Sequence, residues 1–346
     1  MRIAYIINSL EGGGAALPVP AILSVLRDAG AEPTVLALER RDGRALAPIM
    51  EAGFKVEVRD GGRTDHVAAL RWLGGRVHAI GATHLWTSLS RATALGQIVG
   101  TARRLPVVSW QHAAWLKPAN LRLLRATRHL SALWIADSDA VADYATRRML
   151  VPPARLMRWP IFRADPAAPR AMPWRPGEPV RVGSLGRLHR VKGYDVLADA
   201  LALLPPGHSR IAVTIAGEGG ARESLEGRGM ALPGYAADPL GFLAGLHLYV
   251  QPSRSEGFCV AAHEAMQAGL PVVASAVGAL ATDVAHGATV PPGDAVALAA
   301  ALARLLARPE RLAALGAAAR ADMLDRYSAS RFEAAGRAIV ERLRGL

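Results

Sequence analysis

The residues best suited to chemistry are two glutamates, Glu256 and Glu264, in the run Pro252-Ser253-Arg254-Ser255-Glu256-Gly257-Phe258-Cys259-Val260-Ala261-Ala262-His263-Glu264-Ala265-Met266. An apolar segment, Leu246 to Gln251, precedes the run, so it reads as a strand end, a polar loop and a helix. That places one carboxylate in the loop and the other about two turns into the helix. Backbone N–H groups of the loop and first helical turn make an anion site. An anion site backed by two hydroxyl-accepting carboxylates suits a phosphorylated, hydroxyl-rich ligand such as a nucleotide sugar. Two other readings stay open from these residues alone. The glutamates fit a helix-start acid and a solvated helical acid, or an acid–base pair for glycoside hydrolysis, which their separation would decide.

A second cluster, Gly186-Arg187-Leu188-His189-Arg190-Val191-Lys192-Gly193, also follows a predicted strand and precedes a predicted helix. Such a loop lies at the carboxyl edge of a sheet, where open α/β folds bind ligands. A forked guanidinium and a compact ammonium suit a diphosphate, and the alternative is a solvated basic loop. Lys192 is one of only three lysines, with Lys55 and Lys117, among 41 basic residues. Near the start, Glu11-Gly12-Gly13-Gly14 joins a strand at Ile3–Ile7 to a small-residue helix near Ala21–Ala29. It opens a βαβ unit, yet lacks the full dinucleotide-binding glycine spacing, so a tight turn explains it equally well.

The elements that position these loops alternate throughout. Strands are expected at Thr34–Leu38, Phe54–Val58, His84–Trp86, Pro106–Trp110 and Ala132–Ala136, with helices between them, one near Asp65–Ala79. A proline-dense stretch from Pro152 to Pro179 reads as linker. The alternation then restarts with strands at Val180–Leu185 and Ile211–Ala216, a further short segment at Met230–Pro233, and Val272–Ala274. Helices dominate from Asp294 onward, with Pro309 starting one and Ser328 or Ser330 capping the last. This predicts an α/β chain with mostly parallel sheets covered on both faces. With 346 residues, two domains are expected, at 1–162 and 180–327, with 163–179 as linker and 328–346 as a final helix.

Composition narrows the function classes. A net charge of +12 invites a nucleic-acid reading, but no block of five like charges occurs, so an anionic substrate or membrane face fits better and no nucleic acid is expected. The single cysteine, Cys259, excludes an internal disulfide and suits a reducing cytoplasm. Met1 to Ile7 reads as a buried strand, its apolar run being too short for a signal peptide. The uncharged run Ala265 to Thr282 contains Gly269, Pro271 and Gly278 and is expected as helix and strand, not as a membrane span.

The motifs in order resemble the retaining glycosyltransferases of family 4, the group 1 glycosyl transferases. They are Gly186-Arg187-x4-Lys192-Gly193, Ala216-Gly217-Glu218-Gly219, Gly234-Tyr235, then Pro252-Ser253-x-Ser255-Glu256-Gly257-Phe258-x5-Glu264-Ala265-Met266, then Ala268-Gly269-x-Pro271-Val272-Val273-Ala274, Gly278 and Val290-Pro291-Pro292-Gly293-Asp294. In the first half the resemblance thins to the glycine turn and His112.

That resemblance implies a GT-B fold, two Rossmann-like domains facing each other across a cleft, with the C-terminal helix crossing back to the N-terminal domain. It implies a hexosyltransferase that is metal-independent and needs no cofactor beyond its nucleotide diphosphate sugar donor. Glu264 would take the ribose hydroxyls; Glu256 with the amides of Gly257 and Phe258 would hold the sugar; the helix start at Cys259 and Val260 would receive the distal phosphate. Arg187 and Lys192 would stabilise the leaving diphosphate, and the base would lie near Gly234 and Tyr235. From the N-terminal domain, Gly13 and Gly14 would approach phosphates or acceptor, and His112 the sugar. The expected partners are a UDP- or GDP-linked donor, a glycan or lipid-linked acceptor in cell-surface polysaccharide synthesis, and peripheral contact with the inner face of the cell membrane.

Three departures bear on this. Ala15 and Ala16 stand where an acidic residue often follows the glycines, Cys259 replaces a usual glycine, and Pro160-Ile161 replaces an Asn-Gly. A GT-B-shaped epimerase or hydrolase, or a non-catalytic basic polyanion-binding protein, are the competing readings. The first differs around these motifs, and the second needs clustered charge that the chain lacks.

Overall fold

The computed structural model describes residues 1–205 and 210–345. The chain divides into two compact units, Met1–Arg163 with Ser330–Leu346, and Ala164–Ala329. In the first, β1 (Arg2–Ser9), β2 (Glu32–Glu39), β3 (Lys55–Val58), β4 (His84–Ser88), β5 (Val107–Gln111), β6 (Leu133–Ala136) and β7 (Leu156–Arg158) form one sheet in the order β3-β2-β1-β4-β5-β6-β7. Every pairing is parallel. Ile3 to Ile7 are all buried, which explains why β1 is an unbroken apolar run: helices cover both of its faces.

The second unit repeats the plan with β8 (Val180–Leu185), β9 (Ile211–Ala216), β10 (Ala231–Gly234), β11 (Leu248–Gln251), β12 (Val272–Ser275) and β13 (Ala288–Val290), ordered β10-β9-β8-β11-β12-β13 and again parallel. In each sheet the strand order reverses beside the first strand, between β1 and β4 and between β8 and β11. The carboxyl ends of those strands define the crevice in which such sheets bind ligands.

The stretch read as linker from Pro152 starts later than its prolines suggest. Leu156–Arg158 pairs with β6, and Trp159 is fully buried against Trp86 and Trp110. A three-residue strand leaves too little periodicity to register against so many prolines. The last helix, Ala329–Arg344, packs on the first unit, with Phe332 5.1 Å from the Trp159 ring. A side chain at Gly336 would lie 2.5 Å from Val25, so glycine lets that helix seat closely. The expected helix ran on to Leu346, which lies outside the described residues.

Candidate functional site

In the second unit, the loops after β8 and β11 meet. The carbonyl of Val191 accepts from Arg254 N–H at 2.8 Å, and the Arg254 guanidinium grips both Asp195 oxygens at 2.7 Å. Gly193 has φ +70, and a side chain there would stand 1.9 Å from the Pro252 carbonyl, so only glycine permits this approach. Its result is that Lys192 Nζ donates to Glu256 Oε1 at 2.7 Å.

Glu256 is held by a relay from the sheet. Tyr249 donates to Gln251 at 2.9 Å, Gln251 to Ser253 at 2.8 Å, and Ser253 to Glu256 Oε1 at 2.6 Å. Lys192, Gln251 and Ser253 thus converge on one carboxylate oxygen, Oε1. Burial pulls the Lys192 ammonium pKa down, but Glu256 outweighs it and the net shift is upward, so this lysine stays charged. Nothing in the sequence pattern singled out Gln251, although a glutamine closing an apolar strand is itself a signal.

Glu264 sits on the helix Val260–Gln267, which begins without a side-chain cap and therefore offers first-turn N–H groups to an anion. Its carboxylate has no hydrogen-bond partner among the described residues, and burial pushes its pKa up to about 7. A half-buried carboxylate without partners is where ligand hydroxyls would donate. The shift also has a stability consequence. The folded chain holds this proton while the unfolded chain, at 4.5, releases it, so stability falls as pH rises from about 4.5 to about 7. Glu264→Gln is expected to raise the unfolding free energy at pH 8 by about 1–2 kcal/mol and to leave it nearly unchanged near pH 4.5, the figure being reduced for residual solvent contact. Urea denaturation at the two pH values checks this, and an equal gain at both would refute it.

Cys259 takes a left-handed conformation at φ +69 just ahead of that helix. A buried network holds it there. His263 donates through Nδ1 to the Cys259 carbonyl at 3.0 Å, and its Nε2 faces Asp283 at 2.9 Å. Thr282, Arg326 and Tyr327 also donate to Asp283, at 3.0, 2.6 and 2.5 Å. Burial would raise the Asp283 carboxyl, but His263, Tyr327 and Arg326 outweigh it and hold it at about 2. With a carboxylate on one side and a carbonyl on the other, the His263 ring is held at both nitrogens. Phe258 stacks on that ring at 4.0 Å, so the Gly257–Cys259 turn rests on a rigid base. The thiol itself is pushed up to about 12 by burial, with Glu256 next in effect.

Arg187 is exposed on the loop after β8, and no ion pair fixes it among the described residues. Gly234 closes β10 at φ +94, its carbonyl accepting from Gly217 N–H at 2.7 Å, and Tyr235 beside it is 40% exposed. Among the described residues, no group of three or more His, Cys, Asp or Glu side chains is placed to hold a metal ion.

The remaining expected residues lie in the first unit. Gly13 and Gly14 form the turn after β1, and a side chain at Gly13 would meet nothing within 4 Å. Glu11, just before the glycines, pairs with Arg41. His112 follows β5, with Nδ1 2.9 Å from Asp137 Oδ2 and Nε2 2.8 Å from Ser88 Oγ. Asp137, at the carboxyl end of β6 and 1% exposed, also accepts from the Trp110 indole. Asp137 and Ser88 thus hold the His112 ring at both nitrogens. Asp137 escaped notice in the sequence because its partner is 25 positions away.

Two parallel doubly wound units, each with its polar loops at the switch point, define the GT-B class of protein, and solved structures bear this out. Anabaena HepE in complex with UDP-glucose aligns with a TM-score of 0.83 at 22% identity over the whole of both chains. The sucrose-phosphate synthase of Thermosynechococcus elongatus gives 0.77 at 20% identity, covering 100% of this chain and 98% of that one. Residues 179–308 match the family described as Glycosyl transferases group 1, and the chain belongs to that family. A D-inositol 3-phosphate glycosyltransferase of Thermobispora bispora is 30% identical over 289 residues, 68% of this chain and 64% of that relative. One from Segniliparus rotundus is 33% identical over 209 residues, 53% of this chain and 46% of the relative. The alignments thus span less than two thirds of those curated relatives.

Proposed function

We propose that this chain is a retaining, metal-independent hexosyltransferase that moves a hexose from a UDP- or GDP-linked donor to a glycan or lipid-linked acceptor in cell-surface polysaccharide synthesis. The observation that carries the reading is the Lys192–Glu256 pair at the switch point of the second sheet, with the unpartnered Glu264 behind an uncapped helix start. Glu264 accepts from the ribose hydroxyls, and Glu256 with the amides of the following turn holds the sugar. Lys192 and Arg187 neutralise the diphosphate as it leaves, and Val260 lies at the helix start that meets the distal phosphate. Retention follows from attack on the face that the diphosphate leaves. The acceptor oxygen bonds to the anomeric carbon, the carbon–phosphate oxygen bond breaks with its electron pair going to the diphosphate, and the acceptor proton passes to a departing phosphate oxygen.

The UDP-glucose bound to HepE supports a nucleotide-sugar donor, and the relatives' name supports glycosyl transfer. Purified chain incubated with a panel of nucleotide sugars and acceptors, with and without chelator, is the test. Nucleoside diphosphate release that depends on acceptor, survives chelator and preserves the anomeric configuration by NMR supports the proposal. Release without acceptor would make it a hydrolase, and loss with chelator would remove the metal-independent step. Contact with an anionic membrane face is part of the proposal, resting on the +12 charge, and vesicle co-sedimentation that disappears at high salt checks it.

In the first unit, His112 is proposed to lie against the sugar, with Asp137 as its positioning residue. Asp137→Asn replaces the charged partner that orients the His112 ring with a neutral amide. It is expected to lower kcat about 10–100-fold with a smaller change in KM. Unchanged kcat in a folded variant would remove Asp137 from the mechanism.

A further inference from the structure

The second unit contains a cavity of ≈ 230 Å³ remote from the Lys192 and Glu256 loops. It opens at the amino edge of the sheet, since the lining residues His247 and Leu270 precede β11 and β12 whereas Lys192 and Glu256 follow the carboxyl ends of β8 and β11. Met172, Trp174 and Leu324 give it apolar walls, and Arg170 and Arg320 supply its charge.

Arg320 is only 5% exposed. It donates to the Gln267 carbonyl and, at 2.6 Å, to the Pro166 carbonyl, but its Nε is buried with no acceptor among the described residues. The two carbonyls bring no formal negative charge to it. None of the lining side chains is acidic. Asp165, which acts on Arg320 from nearby, gives an oxygen to Ala167 N–H at 2.8 Å. Glu178, 3.5 Å from His247 Nε2, is committed to Arg181 at 2.8 Å. Burial depresses the Arg320 pKa and the positive charge of Arg170 depresses it further. Asp165 offsets the Arg320 charge only in part, since the net shift is downward, and an incoming anion would offset the rest. The cavity far exceeds the space of about 10–15 Å³ that one water needs.

We propose that this cavity binds a compact anion carrying a short apolar body, with Arg170 and Arg320 holding the anion and Trp174, Met172 and Leu324 packing against the body. Isothermal titration of the full chain with hexyl phosphate tests it, with hexanol and inorganic phosphate as controls. Hexyl phosphate is expected to bind at least ~tenfold tighter than either control, because each control lacks one of the two contributions. Arg170→Gln removes a charge and Ala317→Leu fills the cavity, and each is expected to weaken hexyl phosphate by ~tenfold. Arg320 is left in place because its carbonyl contacts hold the unit together. No heat of binding at millimolar ligand, equal affinity for either control, or unchanged affinity in both variants would overturn the proposal. The last result would place the ligand elsewhere, such as on the Lys192 loop.

Discussion

A Gly193→Ala variant is expected to lose about 3 kcal/mol of stability and about 100-fold in turnover from one added methyl group. The backbone at φ +70 alone disfavours any side chain by about 1–2 kcal/mol. The methyl would also stand 1.9 Å from the Pro252 carbonyl, a backbone atom that cannot rotate away. Relief requires the loop after β8 to move off the loop after β11, which breaks the approach that sets Lys192 against Glu256 at 2.7 Å. Misplacing such a pair by about 1 Å costs about 10²-fold, even though no charged group has been removed. Gly220→Ala, where a side chain meets nothing within 4 Å and φ is ordinary, is the control and should be close to neutral. Thermal unfolding and donor turnover of the two variants measure the effect. Wild-type behaviour of Gly193→Ala would mean that the loops need no close approach.

How far the sequence reached depends on the range of the interaction in question. The alternating apolar runs predicted the parallel sheets, because a strand covered on both faces must be apolar nearly throughout. The motif glycines were legible as a pattern, but their reason was not. Gly193 matters through Pro252 and Gly217 through the Gly186 carbonyl, contacts that exist only after two loops fold onto one sheet edge. Cys259 looked like an intrusion at a glycine position. It is tolerated because His263 holds its carbonyl and Asp283 holds His263, with Arg326 and Tyr327 supplied from more than 40 positions onward. No local spacing announces that network. Proline counting misjudged Leu156–Arg158 for a related reason: an edge strand needs only one partner, β6, and tolerates prolines just outside its ends.

Lys192→Ala carries the largest expected loss of turnover, about 10³-fold, because it removes the ammonium that would meet charge developing on the leaving diphosphate. The same change strands Glu256, whose side chain is 11% exposed, so a stability loss of about 2–3 kcal/mol accompanies it. The two consequences separate in a cycle of Lys192→Met, Glu256→Gln and the Lys192→Met/Glu256→Gln double variant. Removing both charges also removes the stranded carboxylate, so the double variant should recover stability to within about 1 kcal/mol of the parent. Its turnover should stay low, since neither the ammonium nor the sugar-holding carboxylate returns. Glu256→Gln alone should keep the ammonium and lose less turnover than Lys192→Ala, with the deficit concentrated in KM for the donor. Turnover that recovered along with stability in the double variant would show that the pair only holds two loops together, and the charge-neutralising role would then fall to Arg187.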